Sequence, residues 1–201
     1  MLQIIRDGGI VMYPLILLSF IAVVIIIERL LFFRKIRVDE NKILDRLKAT
    51  LSKQHYDEAI SICENSPSPI TNLARVAIEH RKYDPKLLKD AIMDAANLEV
   101  PKLERFLSSL GTIANISPLL GLLGTILGIM EAFGVLSSFE GVGDPGMLAG
   151  GISKALITTA TGIIISVPSI IFYNYLVSKV NHIIIRLENR VNELVLLLGG
   201  K

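Results

Sequence analysis

The polar side chains with a capacity for chemistry in this 201-residue chain are hydroxyls embedded in apolar stretches. Thr125 lies within the uncharged run 106–130, and Thr159 and Ser166 lie within a later apolar run. A polar group in hydrocarbon needs a hydrogen-bond partner. Thr159, Gly162 and Ser166 fall on one helical face. Together with Thr125 they are predicted to line a narrow polar path between helices that passes protons or a small cation.

Hydroxyls in a membrane helix also have an ordinary explanation, because Thr and Ser bond back to a carbonyl one turn earlier or to a neighbouring helix. That explanation suffices for any single hydroxyl, but it explains the whole set of hydroxyls in these runs less well. The apolar runs around Thr125 and Thr159 contain no carboxylate at mid-depth. A proton carried through them by a titrating acid must therefore use a carboxylate from another polypeptide.

The stretch that surrounds Thr125 is rich in small residues. Gly124 and Gly128 form the Gly-x-x-x-Gly pattern that lets membrane helices approach closely. This run is therefore expected to pack against other helices instead of facing lipid on all sides. The predicted helix-packing positions are Pro118, Gly121, Gly124, Gly128 and Pro168.

The composition is that of a membrane protein. Apolar residues make up 51% of the chain, the mean hydropathy is +0.55, and charged residues are confined to blocks. A net charge of +2 without a basic stripe gives no support for nucleic-acid binding. The single cysteine, Cys63, allows no intrachain disulfide, and the sequence has no phosphate loop, metal-ligand spacing or nucleophile–base set. We therefore expect neither an enzyme nor a bound cofactor or metal.

Three uncharged runs predict an all-α membrane protein with three transmembrane helices, long cytoplasmic helical extensions and a small helical cytoplasmic domain. Basic residues crowd the segment after the first run and the C-terminal tail, so the positive-inside bias places the N-terminus outside and the C-terminus in the cytoplasm. The predicted segments are an outer N-terminus and first span at 1–33, a cytoplasmic domain at 34–106, a second span at 107–131, an outer loop at 132–153, a third span at 154–178 and a cytoplasmic helix at 179–201; in a bacterial inner membrane the outer side is the periplasm.

Charged residues mark the ends of the predicted spans. Glu28 and Arg29 follow the first uncharged run and are expected to pair or to snorkel at the inner boundary. Glu131 ends the second span and Lys154 begins the third, at similar depth because the two spans are antiparallel. We expect these outer-mouth charges to pair, within or between subunits. Separate snorkelling into interfacial water is the alternative.

Within the charged segment, apolar residues recur at helical spacing. Asp84–Pro85 predicts a helix start, with Asp as the N-cap and Pro in the first turn. The apolar face expected for the helix that follows consists of Leu87, Leu88, Ala91, Ile92, Ala95 and Leu98.

Two runs of this sequence resemble a known family. The run 118–130, PLLGLLGTILGIM, resembles the second-span signature of the MotA/TolQ/ExbB proton-channel family. The run 151–162, GISKALITTATG, followed by Val167–Pro168 and Tyr173–Asn174, is similar to its third-span signature. The resemblance covers nearly the whole chain. Three spans with one cytoplasmic insert resemble ExbB and TolQ more than the four-span MotA.

The resemblance implies a bacterial inner-membrane unit that couples proton motive force to mechanical work on a periplasmic or outer-membrane client, in import or in envelope maintenance. It implies a homo-oligomeric ring of five chains around an ExbD- or TolR-like single-span partner, whose membrane Asp carries the proton. The family's pore-lining threonines fall on Thr125 and Thr159. Where ExbB and TolQ members usually have Glu, this chain has Lys154, so the family's acidic role does not carry over to that position.

Two other functions stay open. One is a sodium-driven stator of the same family, in which Thr158 and Thr161 would help to coordinate the cation. The other is a non-conducting scaffold whose glycine-rich helices only assemble a membrane complex. A neighbouring single-span protein with a buried membrane Asp would favour the stator.

Overall fold

The regular elements that the structure describes are all helices. A computed structural model describes residues 9–137 and 145–199, and these ranges contain helices and no strand. This confirms the predicted all-α class. The helices are α1 (Met12–Ser52), α2 (Tyr56–Asn65), α3 (Pro69–Glu79), α4 (Pro85–Glu104), α5 (Leu107–Ser137) and α6 (Pro145–Gly199).

Three helical stretches are long and apolar enough to cross a membrane. They lie within Met12–Ile36, Pro85–Gly134 and Leu148–Leu196, with mean hydropathies of 2.7, 1.8 and 2.0 in their most apolar windows. Their number agrees with the three predicted transmembrane helices. Large apolar side chains along them, such as Phe20, Leu119 and Ile164, are more than half exposed. In a membrane, such side chains contact lipid or another chain.

Helices α5 and α6 continue into the segment predicted as a periplasmic loop. The structure has 132–137 and 145–153 in helix, and 138–144 lies outside the described residues. Gly151 explains part of the difference, since a Cβ placed there would lie 2.7 Å from Ala132 Cβ. This glycine permits close packing of two helices, whereas the sequence pattern was typical of a turn.

The described residues form two compact units. The first unit comprises residues up to Ile27 together with Phe106–Tyr175, and the second comprises Glu28–Arg105 together with the residues from Leu176 onward. The core of the first unit contains apolar residues, including Met12, Leu15, Leu110, Ile113 and Ala155, together with buried hydroxyl side chains.

The second unit is built on short, capped helices. Ser68 and Thr71 form a reciprocal capping box at the start of α3, with Ser68 N–H donating to Thr71 Oγ1 at 2.7 Å. Asp84 caps α4 as predicted, accepting from the Lys86 N–H at 3.3 Å. The caps satisfy backbone N–H groups that have no partner within their own helix. That core includes Leu47, Leu73, Ile78, Leu88, Ile92 and Leu103.

The buried face of α4 is rotated from the predicted one. Leu87 and Leu98 are 58% and 72% exposed, while the buried face includes Leu88, Ile92 and Leu103. The helical periodicity is as predicted, but Leu87 and Leu98 lie outside the buried stripe of α4. The helix ends before Phe106, whose φ of +64° is left-handed and strained for a residue with a Cβ.

Candidate functional site

The contact between α5 and α6 in the first unit is made by small residues, and we call this contact face the small-residue seam. A Cβ on Gly128 would lie 2.9 Å from Ala155 Cβ, and one on Gly121 would lie 3.1 Å from Thr159 Cα. A Cβ on Gly124 would overlap the Thr158 side chain. Three of the predicted packing glycines therefore lie where the two backbones come closest.

The seam extends beyond the positions that the sequence singled out. A Cβ on Gly111 would lie 2.9 Å from the Tyr173 ring. Ser117 is fully buried and donates to Ile113 O at 2.7 Å within its own helix. A signal for these positions existed, because small residues recur every three or four positions along both helices.

Thr159 connects the two helices. Its Oγ1 donates to the Gly121 carbonyl oxygen at 2.9 Å, and the side chain is half-buried. The hydroxyl oxygen retains acceptor capacity after donating this bond. The Thr159 hydroxyl thus uses its hydrogen for the bond across the seam, and its oxygen can still accept a hydrogen bond from another group.

Thr125 forms a local hydrogen bond. Its Oγ1 donates to Leu122 O at 2.6 Å in the same helix, and the side chain is half-buried. This is the ordinary arrangement for a membrane Thr, yet it also leaves acceptor lone pairs on the oxygen.

Ser166 lies inside the seam. It is 9% exposed and its Oγ donates to the Ala114 carbonyl oxygen at 2.6 Å. Ala114 is four residues before Pro118, which has no N–H, so the helix itself cannot supply a donor to that carbonyl. Ser166 therefore satisfies the carbonyl that Pro118 leaves without a helical partner.

Gly162 lies in the same part of the seam. A Cβ there would lie 2.5 Å from Ser117 O and 3.1 Å from Gly121 Cα. The positions of Gly162 and Ser166 favour helix packing over direct contact with a conducted ion. Helix α6 also contains Pro168, which is exposed.

Glu131 and Lys154 lie together in the first unit. Lys154 Nζ donates to Glu131 Oε2 at 2.8 Å within one chain, with the side chains 31% and 61% exposed for Lys and Glu respectively. The Lys154 stem packs on Gly9, whose φ is +70°. Both charges border a cavity of about 190 Å³ that Gly124 and Gly128 also line.

Glu28 and Arg29 are paired in the second unit. Two Arg29 nitrogens donate to the two Glu28 carboxylate oxygens at 2.5 Å, and Nη1 donates to Lys102 O at 3.2 Å. Arg29 is 2% exposed and its guanidinium lies 4.5 Å from the Phe32 ring centroid. Arg29 therefore connects α1 to the last turn of α4.

The additional hydroxyls considered for sodium binding are bonded within their own helix. Thr158 Oγ1 donates to Lys154 O at 3.0 Å, and Thr161 Oγ1 donates to Ile157 O at 2.8 Å. Across the described ranges 9–137 and 145–199, no group of three His, Cys, Asp or Glu side chains could hold a metal ion.

Comparison with known proteins agrees with this architecture. Residues 65–189 match the family described as the MotA/TolQ/ExbB proton channel family. The chain is 32% identical over 168 residues to a biopolymer transport protein named ExbB-like 3 of Synechocystis sp., spanning 83% of this chain and 80% of that protein.

Two further relatives carry related names. The biopolymer transport protein exbB1 of Vibrio cholerae is 30% identical over 202 residues, spanning 98% of this chain and 88% of that protein. The Tol-Pal system protein TolQ of Haemophilus influenzae is 39% identical over 104 residues, spanning 52% of this chain and 45% of that protein.

The three apolar stretches and the small-residue seam define a multi-pass inner-membrane subunit of the channel and stator class, which is not a class of enzymes. The chain belongs to the MotA/TolQ/ExbB proton channel family, on its ExbB and TolQ side.

Proposed function

We propose that this chain is a stator subunit that conducts protons together with a single-span partner and couples that flow to mechanical work on a periplasmic or outer-membrane client. The observation that carries the proposal is chemical: the second and third spans hold half-buried hydroxyls but no carboxylate at mid-depth. An ExbD- or TolR-like partner supplies the missing Asp.

Thr159 and Thr125 are the proposed pathway residues in this chain. Both hydroxyls already donate a hydrogen bond to a carbonyl, so each oxygen can accept one from water or from a protonated acid. Acceptors of this kind orient a proton-carrying group without titrating themselves. Gly162 and Ser166 contribute by fixing the helix that carries Thr159.

The assembly and orientation follow the same proposal. Five copies surround the partner helix or helices, with the N-terminus in the periplasm and the C-terminus in the cytoplasm. The Glu131–Lys154 pair lies near the outer end of the seam, and ExbB and TolQ members usually have Glu in place of Lys154.

Proton flux into liposomes tests the proposal. The chain is reconstituted alone and with its single-span partner. A potential is imposed, and acidification of the liposome interior is followed with a trapped pH-sensitive dye. We expect proton flux only when the partner is present. Thr159→Val should reduce that flux at least tenfold. Thr112→Val is the matched control, because Thr112 is exposed and bonds only within α5.

Other results of the liposome experiment would indicate a different function. Equal flux from the isolated chain would show that no carboxylate needs to be borrowed. Flux that requires Na⁺ would identify a sodium-driven stator, and no flux from a correctly assembled complex would identify a scaffold.

A further inference from the structure

We propose that the second unit binds the headgroup of an anionic phospholipid in a groove beside Arg29, which we call the cationic groove. The groove consists of two cavities of about 370 and 450 Å³. Both cavities are bordered by Phe32, Ile36, Pro67 and Ser68, so they adjoin along one wall.

The charges around the cationic groove favour an anion. Arg29, Lys102 and Arg105 line the first cavity, and Lys35 lines the second. Among the described residues that line either cavity, Glu99 is the sole carboxylate. Arg29 is 2% exposed and its charge is paired with Glu28, so a phosphate diester would meet the cations of Lys35, Lys102 and Arg105.

Glu99 does not cancel this positive charge. Its Oε1 accepts from Lys102 Nζ at 2.6 Å and from Asn72 Nδ2 at 2.9 Å. The Glu99 side chain is 7% exposed while that of Lys102 is 61% exposed. The ammonium, with two further N–H groups, is thus the part of this pair that an incoming ligand reaches.

The apolar part of the groove favours a lipid over free phosphate. Phe32, Ile36 and Leu103 line the first cavity, and Ile43 lines the second. Free phosphate gains nothing from such walls, whereas the glycerol and upper acyl carbons of a phospholipid lose apolar contact with water there.

The position of the groove along the chain gives a second reason. Arg29 comes two residues after the first apolar run ends at Ile27, and Arg105 comes two residues before α5 begins at Leu107. Residues so close to the ends of spans lie at the depth of lipid headgroups. With the orientation proposed above, this is the cytoplasmic leaflet, whose anionic lipids attract basic residues.

Binding of defined lipids to the purified, assembled complex tests the site. Native mass spectrometry compares phosphatidylglycerol with phosphatidylcholine of identical acyl chains. We expect wild-type protein to retain phosphatidylglycerol preferentially. The double variant Lys35→Gln/Arg105→Gln should weaken that retention about 25-fold, since each lost cation near the membrane surface costs about fivefold.

The matched control carries the same change in charge elsewhere in the second unit. Lys86→Gln/Lys89→Gln removes two exposed lysines of α4 that line neither cavity. We expect this variant to keep wild-type lipid retention. An equal loss in both variants would assign the effect to general surface charge and overturn the proposal.

An introduced indole locates the ligand without removing a cation. The chain has no Trp, so Ile36→Trp would place a single fluorophore in the groove wall, and Leu87→Trp would place one on an exposed face of α4. Phosphatidylglycerol brominated near the headgroup should quench Ile36→Trp more strongly than brominated phosphatidylcholine does. Leu87→Trp should show no such difference.

Two results of the quenching experiment would overturn the proposal. Equal quenching of Ile36→Trp by the two lipids would mean that the groove has no preference for an anionic headgroup. Relief of quenching by millimolar inorganic phosphate would mean that the groove binds a free anion.

Discussion

The two units of this chain satisfy their polar groups in different ways. Among the described residues, all but one of the glycines lie in the first unit, and all but two of the charged residues lie in the second. In the first unit, two hydroxyls of α6 donate to backbone carbonyls of α5, as Ser166 does to Ala114. In the second unit, caps and ion pairs perform that task, as Arg29 does with Glu28.

This difference indicates which kind of substitution should destabilise each unit. The first unit depends on backbones that approach closely, so added volume should be more harmful there than altered charge. Several ion pairs of the second unit are exposed, as between Arg75 and Glu79, whose side chains are 50% and 48% exposed, and exposed pairs contribute little.

The largest effect is expected from adding one methyl group to the seam. Gly162→Ala places a Cβ 2.5 Å from the Ser117 carbonyl oxygen, which belongs to backbone and cannot rotate away. We expect a loss of about 3 kcal/mol in the stability of the folded complex, measured by its thermal midpoint in detergent. Gly150→Ala is the control, because nothing lies within 4 Å of the added atom. Equal tolerance of both variants would contradict the close packing.

The next effect tests the partnership between Ser166 and Pro118. Ser166→Ala leaves the buried Ala114 carbonyl with neither a side-chain nor a helical donor, at a cost of about 2 kcal/mol. Pro118→Ala restores a backbone N–H four residues after Ala114. The double variant should therefore lose less stability than the two single losses combined, as a double-mutant cycle measures. Simple additivity would refute the coupling.

A smaller effect is expected from the Glu131–Lys154 pair. Either reversal, Glu131→Lys or Lys154→Glu, creates a like-charge contact at a partly exposed site and should cost about 1 kcal/mol. Combining the two reversals should restore the thermal midpoint, and Lys154→Arg should leave it near wild type. Absence of rescue would mean that the charges act independently.

The last prediction concerns the alkylation rate of the thiol in the second unit. Burial raises the pKa of Cys63 from 9.0 to about 11, so its thiolate fraction at pH 8 is about a hundredfold below that of an ordinary thiol. Alkylation should therefore be slow and should accelerate with pH up to about 11. The control is Ser61→Cys in a Cys63→Ala background, on the exposed face of α2. Equal alkylation rates at pH 8 would exclude this burial effect.

Much of the fold could be predicted because helical periodicity and apolar length depend on local sequence. Antiparallel spans also place Glu131 and Lys154 at one depth, and the structure has their charged atoms 2.8 Å apart. Asp84 caps α4 because capping needs only a few neighbouring residues.

The remainder depends on contacts between distant residues. Gly151 belongs to a typical turn composition, and only the approach of Ala132 makes it a packing residue. The rotation of α6 about its axis directs Ser166 to the seam, which helical spacing alone does not determine. Arg29 finds its carbonyl partner at Lys102, 73 residues away.

The hydrogen bond between Ser166 and Ala114 has a mechanical consequence. Together with the bond from Thr159 to Gly121, it ties two points along α6 to two points along α5. Sliding one helix by a single residue would break both ties at once. The two helices must therefore move together as one rigid pair, and any movement against another chain would take place on the faces that this pair turns away from the seam.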